Sequence, residues 1–281
     1  MKYIIYILLF FPIWVTAQTY KYIGIEEGLS NRRIFSIQKD AEGYMWFLTN
    51  EGMDRYNGKD IKHYRLNKDD NSLESPIHLG WIYTNPHIGT WVIGKQGRVF
   101  QYERKYDDFK LVYKLPNSLE TISYGYMDRN NNIWLCRKHS ILLYNTENAQ
   151  ILQFTNILHS NITAIEQVDD HRFFISTETG VRYLKLENGT LKIIPAETLD
   201  YFHVQVNELY YHQASKRLLI GSFERGLFVY DMNNREIIKP EVDLSDVSIT
   251  CMAPLDESQL LISTEGMGVY KININTCQME Q

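Results

Sequence analysis

Three adjacent carboxylate pairs, Asp69-Asp70, Asp107-Asp108 and Asp169-Asp170, are the residues with which this 281-residue sequence could do acid–base chemistry. Glycoside cleavage needs two carboxyls about 5–10 Å apart across a cleft. These pairs instead fall in polar, turn-like stretches and read as solvated turns. The eight His are scattered, and Cys136, Cys251 and Cys277 are too widely spaced for a disulfide framework or a metal cluster. There is no Gly-Xaa-Ser-Xaa-Gly elbow, no His-Glu-Xaa-Xaa-His pair, no phosphate loop and no calcium loop. The expectation is a chain with no catalytic residue, no metal and no cofactor. With 29 Lys and Arg against 34 Asp and Glu, for a net charge of −5, it also lacks the basic excess that nucleic-acid binding requires. What it has in quantity is aromatic surface: 20 Tyr, 12 Phe and 5 Trp. Such side chains favour strands, and their faces suit sugar rings.

The elements that must position these residues follow from an internal repeat. Trp46-Phe-Leu-Thr-Asn-Glu-Gly52-Met-Asp-Arg-Tyr56 returns at Trp91 to Gly97 and Tyr102, and again at Trp134 to Tyr144, with Ser140 in place of the Gly. Looser copies begin at Phe174, Leu219 and Leu261, so that six copies follow one another at intervals of 40 to 45 residues. In the first copy Ile34–Gln38, Tyr44–Thr49, Met53–Tyr56 and Ile61–Tyr64 read as four strands, joined through Asp40-Ala-Glu-Gly43, Gly52 and Asn57-Gly58. Asp40 and Asp128 each stand six residues before a Trp, and Asn85 holds that place before Trp91. An Asx side chain there can accept backbone N–H groups within the hairpin, a structural role. Four antiparallel strands at this period define a blade, and the expected fold is an all-β propeller with about six blades present. The Trp of each copy and the apolar residues after it are expected to pack between neighbouring blades. No useful length of sequence has helical periodicity.

In a propeller the loops from each outer strand to the next inner strand share one face. Here they carry Arg32 and Arg33, His78 and Trp81, Tyr124 and Tyr126, Asn161, and His203 and Gln205. Aromatic faces with planar polar groups are what carbohydrate recognition requires. These nine residues are the candidate ligand-binding set. Trp81, Tyr124 and Tyr126 have an alternative reading as inner-strand residues packed between blades, and the Arg32-Arg33 pair could meet an adjacent domain or an anionic sugar.

Residues 1–17, with Lys2, an apolar run from Tyr3 to Val15 and Val15-Thr16-Ala17, read as a cleaved secretory signal leaving Gln18 first in the mature chain. The run is shorter than the ~20 residues of a spanning helix, although a membrane anchor is the other reading. Residues 18–281 form the propeller. Tyr20 to Gly24 looks like an outer strand whose three partners lie elsewhere, while Cys277-Gln-Met-Glu280 starts a fourth strand for copy six. Together these predict an incomplete ring lacking at least one blade. A closed six-bladed ring with a short tail is the alternative.

Gly28-Leu-Ser-Asn31, Ile34-Phe-Ser-Ile37, Asp40-Ala-Glu-Gly43-Tyr-Met-Trp46-Phe-Leu-Thr49 and Gly52-Met-Asp-Arg-Tyr56-Asn-Gly58 resemble the two-component regulator propeller repeat. The resemblance extends over nearly all of residues 18–281, specific in copies one to three and loose in four to six, which lack the Trp. It implies the N-terminal periplasmic sensor part of a hybrid two-component histidine kinase. Sensors of that family have two seven-bladed propellers, then a β-sandwich, a membrane helix, kinase and receiver domains and a helix-turn-helix output. On this resemblance the chain is most of a first, seven-bladed propeller, non-catalytic and periplasmic, from an inner-membrane parent. Its partners would be an oligosaccharide, the rest of the sensor ectodomain and a second copy in a homodimer. The family's ligand contacts vary, so none transfers by motif. The alternatives are a secreted propeller enzyme acting on glycans, a lyase or glycosidase, and a protein-interaction scaffold.

Overall fold

The computed structural model describes residues 21–66, 79–115, 121–200 and 202–281. They form six four-stranded antiparallel sheets in chain order. Blade one is β1 (Ile34–Lys39), β2 (Met45–Thr49), β3 (Gly52–Tyr56) and β4 (Ile61–Tyr64). Blade two is β5 (Leu79–Asn85), β6 (Gly89–Gly94), β7 (Arg98–Glu103) and β8 (Asp108–Lys114). Blade three is β9 (Tyr124–Met127), β10 (Asn132–Cys136), β11 (Ser140–Asn145) and β12 (Ile151–Thr155). Blade four is β13 (Ile162–Gln167), β14 (Arg172–Thr177), β15 (Gly180–Glu187) and β16 (Thr190–Ile194). Blade five is β17 (Val206–His212), β18 (Arg217–Ser222), β19 (Leu227–Asp231) and β20 (Glu236–Ile238). Blade six is β21 (Ile249–Pro254), β22 (Gln259–Thr264), β23 (Gly268–Asn273) and β24 (Met279–Glu280). A single short helix, α1 (Glu197–Asp200), lies between blades four and five.

The Asp before the repeat Trp is structural, as the spacing predicts, and it does more than shape a turn. Asp40 Oδ1 accepts the backbone N–H groups of Glu42 and Tyr44, and its Oδ2 accepts the Trp46 indole N–H at 2.8 Å. Asp128 repeats this with Asn130, Asn132 and the Trp134 indole at 2.9 Å. In blade two Asn85 keeps the turn, but the Trp91 indole bonds the Ile88 carbonyl instead. Blades four and six have no Trp and retain the turn through Asp169 and Asp256. At the opposite end of the second strand in blades one, four, five and six a hydroxyl closes the next turn. Thr49, Thr177, Ser222 and Thr264 donate to the carbonyls of Gly52, Gly180, Gly226 and Gly268.

Five apolar clusters hold the blades side by side, one for each consecutive pair. Trp46 and Leu48 meet Ile82 and Val92 of blade two, and Trp134 meets Phe173 of blade four with ring centroids 4.7 Å apart. The repeat Trp residues therefore pack between blades, as expected. Among the described residues no such cluster joins blade six to blade one. On blade one Ile37 lies opposite Phe47, on the face turned away from blade two, and is 49% exposed. On blade six Val269 turns away from the buried Tyr270 and is 53% exposed.

Two expectations about the ends of the ring fare differently. Met279–Glu280 does pair with β23 as a short fourth strand. The outer strand expected at Tyr20 to Gly24 does not form: residues 21–24 carry no strand, and Gly24 N–H bonds the Glu27 carboxylate at the start of a turn. A strand needs a neighbour to satisfy its backbone, and among the described residues none pairs with residues 21–24. Tyr20, the expected signal at residues 1–17 and the Asp69-Asp70 pair lie outside the described residues. No helix among the described residues is long and apolar enough to cross a membrane.

Asp107, in the β7–β8 turn, locks blade two to blade one. It accepts bonds from Arg55 at 2.8 Å, Lys62 at 2.6 Å, and the Tyr64 and Tyr102 hydroxyls at 2.7 and 2.5 Å. Partial burial pushes its pKa up, but the bonds from Lys62, Tyr102 and Tyr64 and the Arg55 charge outweigh that and hold it well below the usual carboxylate range. A carboxyl with a depressed native pKa contributes stability that is present above its unfolded value of about 4 and disappears as pH falls through the native value. We therefore expect Asp107→Asn to lower the thermal midpoint at pH 7 and to flatten its fall below about pH 4, measured by calorimetry from pH 7 to 2.

Candidate functional site

Inner strands start, and second strands end, on the same face of the ring. That face therefore collects the outer-to-inner loops and the turns closed by Thr or Ser. Two cavities open on it. The first, of about 490 Å³, sits over blades two to four and is lined by Trp81, Ser123, Tyr124, Asn161, Thr163 and Glu178 among others. The second, of about 710 Å³, sits over blade five and its neighbours, with His203, Gln205, Phe223, Arg225, Phe228 and Lys239 in its wall.

Five of the nine candidate residues thus line these cavities: Trp81, Tyr124 and Asn161 in the first, His203 and Gln205 in the second. Trp81, Tyr124 and Tyr126 are not on loops, as the sequence reading placed them. They belong to β5 and β9 and are only half-buried, so that Trp81 and Tyr124 serve packing and the cavity wall at once. The Trp81 and Tyr124 rings meet edge-on at 5.5 Å, and those of Tyr83 and Tyr126 at 6.1 Å. Gly125 makes this possible, because a Cβ there would lie 2.8 Å from the Trp81 ring and 2.9 Å from Ile93. Tyr126 packs in the cluster between blades three and four and is not in the cavity wall. The Asn161 amide donates to Glu178 Oε1 at 3.1 Å. The His203 ring faces the Thr179 carbonyl at 3.4 Å. Arg32 and Arg33 are exposed on blade one, outside both cavities, and Arg33 stacks over Phe35 at 4.9 Å. His78 lies outside the described residues.

The structure adds residues the sequence did not single out. Glu178 and Phe223 stand in the turns between second and third strands, where only the assembled ring shows that they share a face with the loops. Glu166 of β13 and Glu208 of β17 are carboxyls on inner strands. Burial pushes Glu166 up to about 8, against the Tyr211 N–H it accepts at 3.3 Å and the charge of Arg129. Burial alone takes Glu208 to about 7. A carboxyl within an inner strand was the available signal.

The other acidic candidates are accounted for as structure. Asp107 is the blade-one clamp described above, and Asp169 forms a hairpin turn with an ion pair to Arg172. Among the described residues no group of three His, Cys, Asp or Glu could hold a metal ion. The three cysteines are free, with Cys136 and Cys277 buried and Cys251 exposed.

The fold and its repeats define a β-propeller of four-stranded antiparallel blades. Residues 28–51 match the family model described as two component regulator propeller, so the first blade carries that repeat. The fold is similar to the extracellular domain of the hybrid two-component system BT3049 from B. thetaiotaomicron, at 20% identity and a TM-score of 0.71, over 92% of this chain and 36% of that one. It is also similar to the extracellular domain of the hybrid two-component system BT4673 from B. thetaiotaomicron, at 18% identity and a TM-score of 0.65, over 88% of this chain and 32% of that one. Sqt1 of Saccharomyces cerevisiae shares the architecture at 14% identity and a TM-score of 0.62, over 88% of this chain and 72% of that one. The chain spans about a third of the length of the two bacterial extracellular domains. No curated protein sequence matches it.

Proposed function

We propose that this propeller is a non-catalytic sensing or scaffolding module on the extracytoplasmic side of a hybrid two-component signalling protein, and that it takes an oligosaccharide ligand. The repeat at residues 28–51 and the fold shared with two such extracellular domains support the first part. The observation that carries the second is the cavity over blades two to four. Its wall pairs an accessible Trp–Tyr edge with an amide, hydroxyls and a carboxylate, the mixture that holds a sugar ring by one face and its hydroxyls by their edges. A ligand there signals only if it binds two arrangements of the full sensor unequally. The unfilled faces at Ile37 and Val269 support a further blade between blades six and one, as in a seven-bladed ring, and hence the remainder of the ectodomain as a partner. Export by the leader to the periplasm, an inner-membrane parent and a homodimer complete the proposal.

The test is a thermal-shift and calorimetric screen of the purified chain against oligosaccharides, with reducing-end release monitored in parallel. One or more is expected to raise the midpoint without being cleaved. Trp81→Ala is expected to weaken binding at least tenfold, about 1.4 kcal/mol or more, and to lower the unliganded midpoint as well, because Trp81 also packs against the cluster between blades two and three. Cleavage of a bound glycan would favour the enzyme reading. Binding unaffected by Trp81→Ala would move the site elsewhere.

A further inference from the structure

The second cavity, of about 710 Å³ over blade five, is built around a turn longer than those of blades one and four. There the closing hydroxyl reaches a glycine three residues on, Thr49 to Gly52 and Thr177 to Gly180. Ser222 reaches Gly226 four residues on, and the turn between them presents Phe223, Glu224 and Arg225 to the cavity. It is tied down on both sides. The Phe223 N–H donates to the Gln205 carbonyl at 2.9 Å, the Glu224 N–H to the Ser248 hydroxyl at 3.2 Å, and the Gly226 N–H to the Val247 carbonyl at 2.9 Å. Glu224 is held at φ +52°, a left-handed backbone that costs a residue with a Cβ. The wall is thus fixed before any ligand arrives, which lowers the cost of binding one.

The charges of this wall are left open. Arg225 and Lys239 both line it, and neither makes a hydrogen bond or an ion pair among the described residues. The Lys239 ammonium lies 5.8 Å from the centre of the Phe228 ring, and Phe223 is 41% exposed. The carboxylates of Glu224 and Asp246 share the wall and also lack side-chain partners among the described residues. Only one turn divides this cavity from the first. Glu178 lines the first, and the carbonyl of the next residue, Thr179, meets the His203 ring of the second at 3.4 Å.

Resting on the oligosaccharide reading, we propose that the second cavity is a subsite for the acidic ring of a hexuronate-containing oligosaccharide, whose carboxylate is received by Arg225 and Lys239. The guanidinium fork matches the two oxygens of a carboxylate, and the ammonium adds a second charge. Phe223 offers a face for the ring, while Glu224 and Asp246 accept from its hydroxyls. A neutral saccharide would occupy the carboxylates and leave both cations to water. A densely sulfated one would be repelled by the same carboxylates. One negative charge per ring fits this wall best, and neighbouring rings of the chain would cross the Glu178–Thr179 turn to the first cavity.

The matched probes are hexamers of galacturonate and of glucuronate, each with its fully methyl-esterified counterpart, titrated calorimetrically into the purified chain at pH 7 and low salt. At least one acid is expected to bind about tenfold or more tighter than its ester, with the preference shrinking as salt is raised to about 0.5 M. Arg225→Gln is expected to remove most of the preference, and Arg225→Gln with Lys239→Gln all of it. Both side chains are exposed, so the thermal midpoint is expected to stay where it is. Arg32→Gln with Arg33→Gln, outside both cavities, is expected to leave the preference intact. Equal affinity for acid and ester in both pairs would overturn the inference, as would a preference that survives the Arg225–Lys239 double variant or is lost in the Arg32–Arg33 one. If only neutral saccharides bind, the inference alone falls. If no saccharide binds at all, the oligosaccharide reading falls with it.

Discussion

Replacing Gly180 by alanine is expected to cost about 2–5 kcal/mol, at its upper end enough to unfold a marginal propeller at ambient temperature. Gly180 opens β15 with φ +135°, and a Cβ there would stand 2.1 Å from the backbone carbonyl oxygen of Phe202. The offending atom is main chain, so no side-chain rotation relieves the contact. Phe202 cannot retreat freely, because it sits 8% exposed in the cluster between blades four and five and meets Phe228 at 5.1 Å. Overpacking of this kind costs about 1–3 kcal/mol, and a left-handed backbone for a residue with a Cβ adds about 1–2. Gly43→Ala is the control. Its φ is +87°, but nothing lies within 4 Å of the added carbon, so only the conformational share is expected, about 1 kcal/mol. Urea unfolding of both variants separates sterics from φ. Equal losses would show that the Phe202 contact yields.

Asp128→Ala is the second large expected loss, about 2–4 kcal/mol. The Asp128 carboxylate is 2% exposed and accepts two backbone N–H groups, the Asn132 amide and the Trp134 indole. Trp134 is fully buried, so the alanine variant strands an indole N–H in the interface between blades three and four. Asn85 shows what a milder change does: the amide keeps the turn and the Trp91 indole finds the Ile88 carbonyl instead. Asp128→Asn is thus expected to lose roughly half as much as the alanine variant. A Trp134→Phe background, which removes the donor, should shrink the penalty of Asp128→Ala by more than 1 kcal/mol in a double-mutant cycle. Additive losses would deny the bond its role.

Most of the fold was legible because the devices that build a blade are local. The Asp-to-Trp spacing, the glycine entering every third strand but that of blade three and the turn Asx residues lie within a few positions of what they bind, so sequence order carries them. Copies four to six, without the Trp, still show their hairpin Asp or closing hydroxyl. The site was less legible because it is made between blades. Asn161 and Glu178 touch only because one blade folds its loop beside its own turn, and Trp81 reaches Tyr124 only because Gly125 lets one blade approach the next. The outer strand read at Tyr20 to Gly24 failed for a related reason. Strand propensity does not make a strand where no neighbour among the described residues pairs with it.

Trp81 provides the most direct measurement, since it is the half-buried indole at the cavity while Trp46, Trp91 and Trp134 are sealed between blades. Titrating the chain with an oligosaccharide identified by the screen and following tryptophan fluorescence should give a saturable change whose midpoint matches the calorimetric affinity. The change should vanish in Trp81→Phe. Calorimetric binding with no change in fluorescence, or a change that persists in Trp81→Phe, would place the ligand away from the blade two to four cavity and contradict the assignment of that cavity as the sensing site.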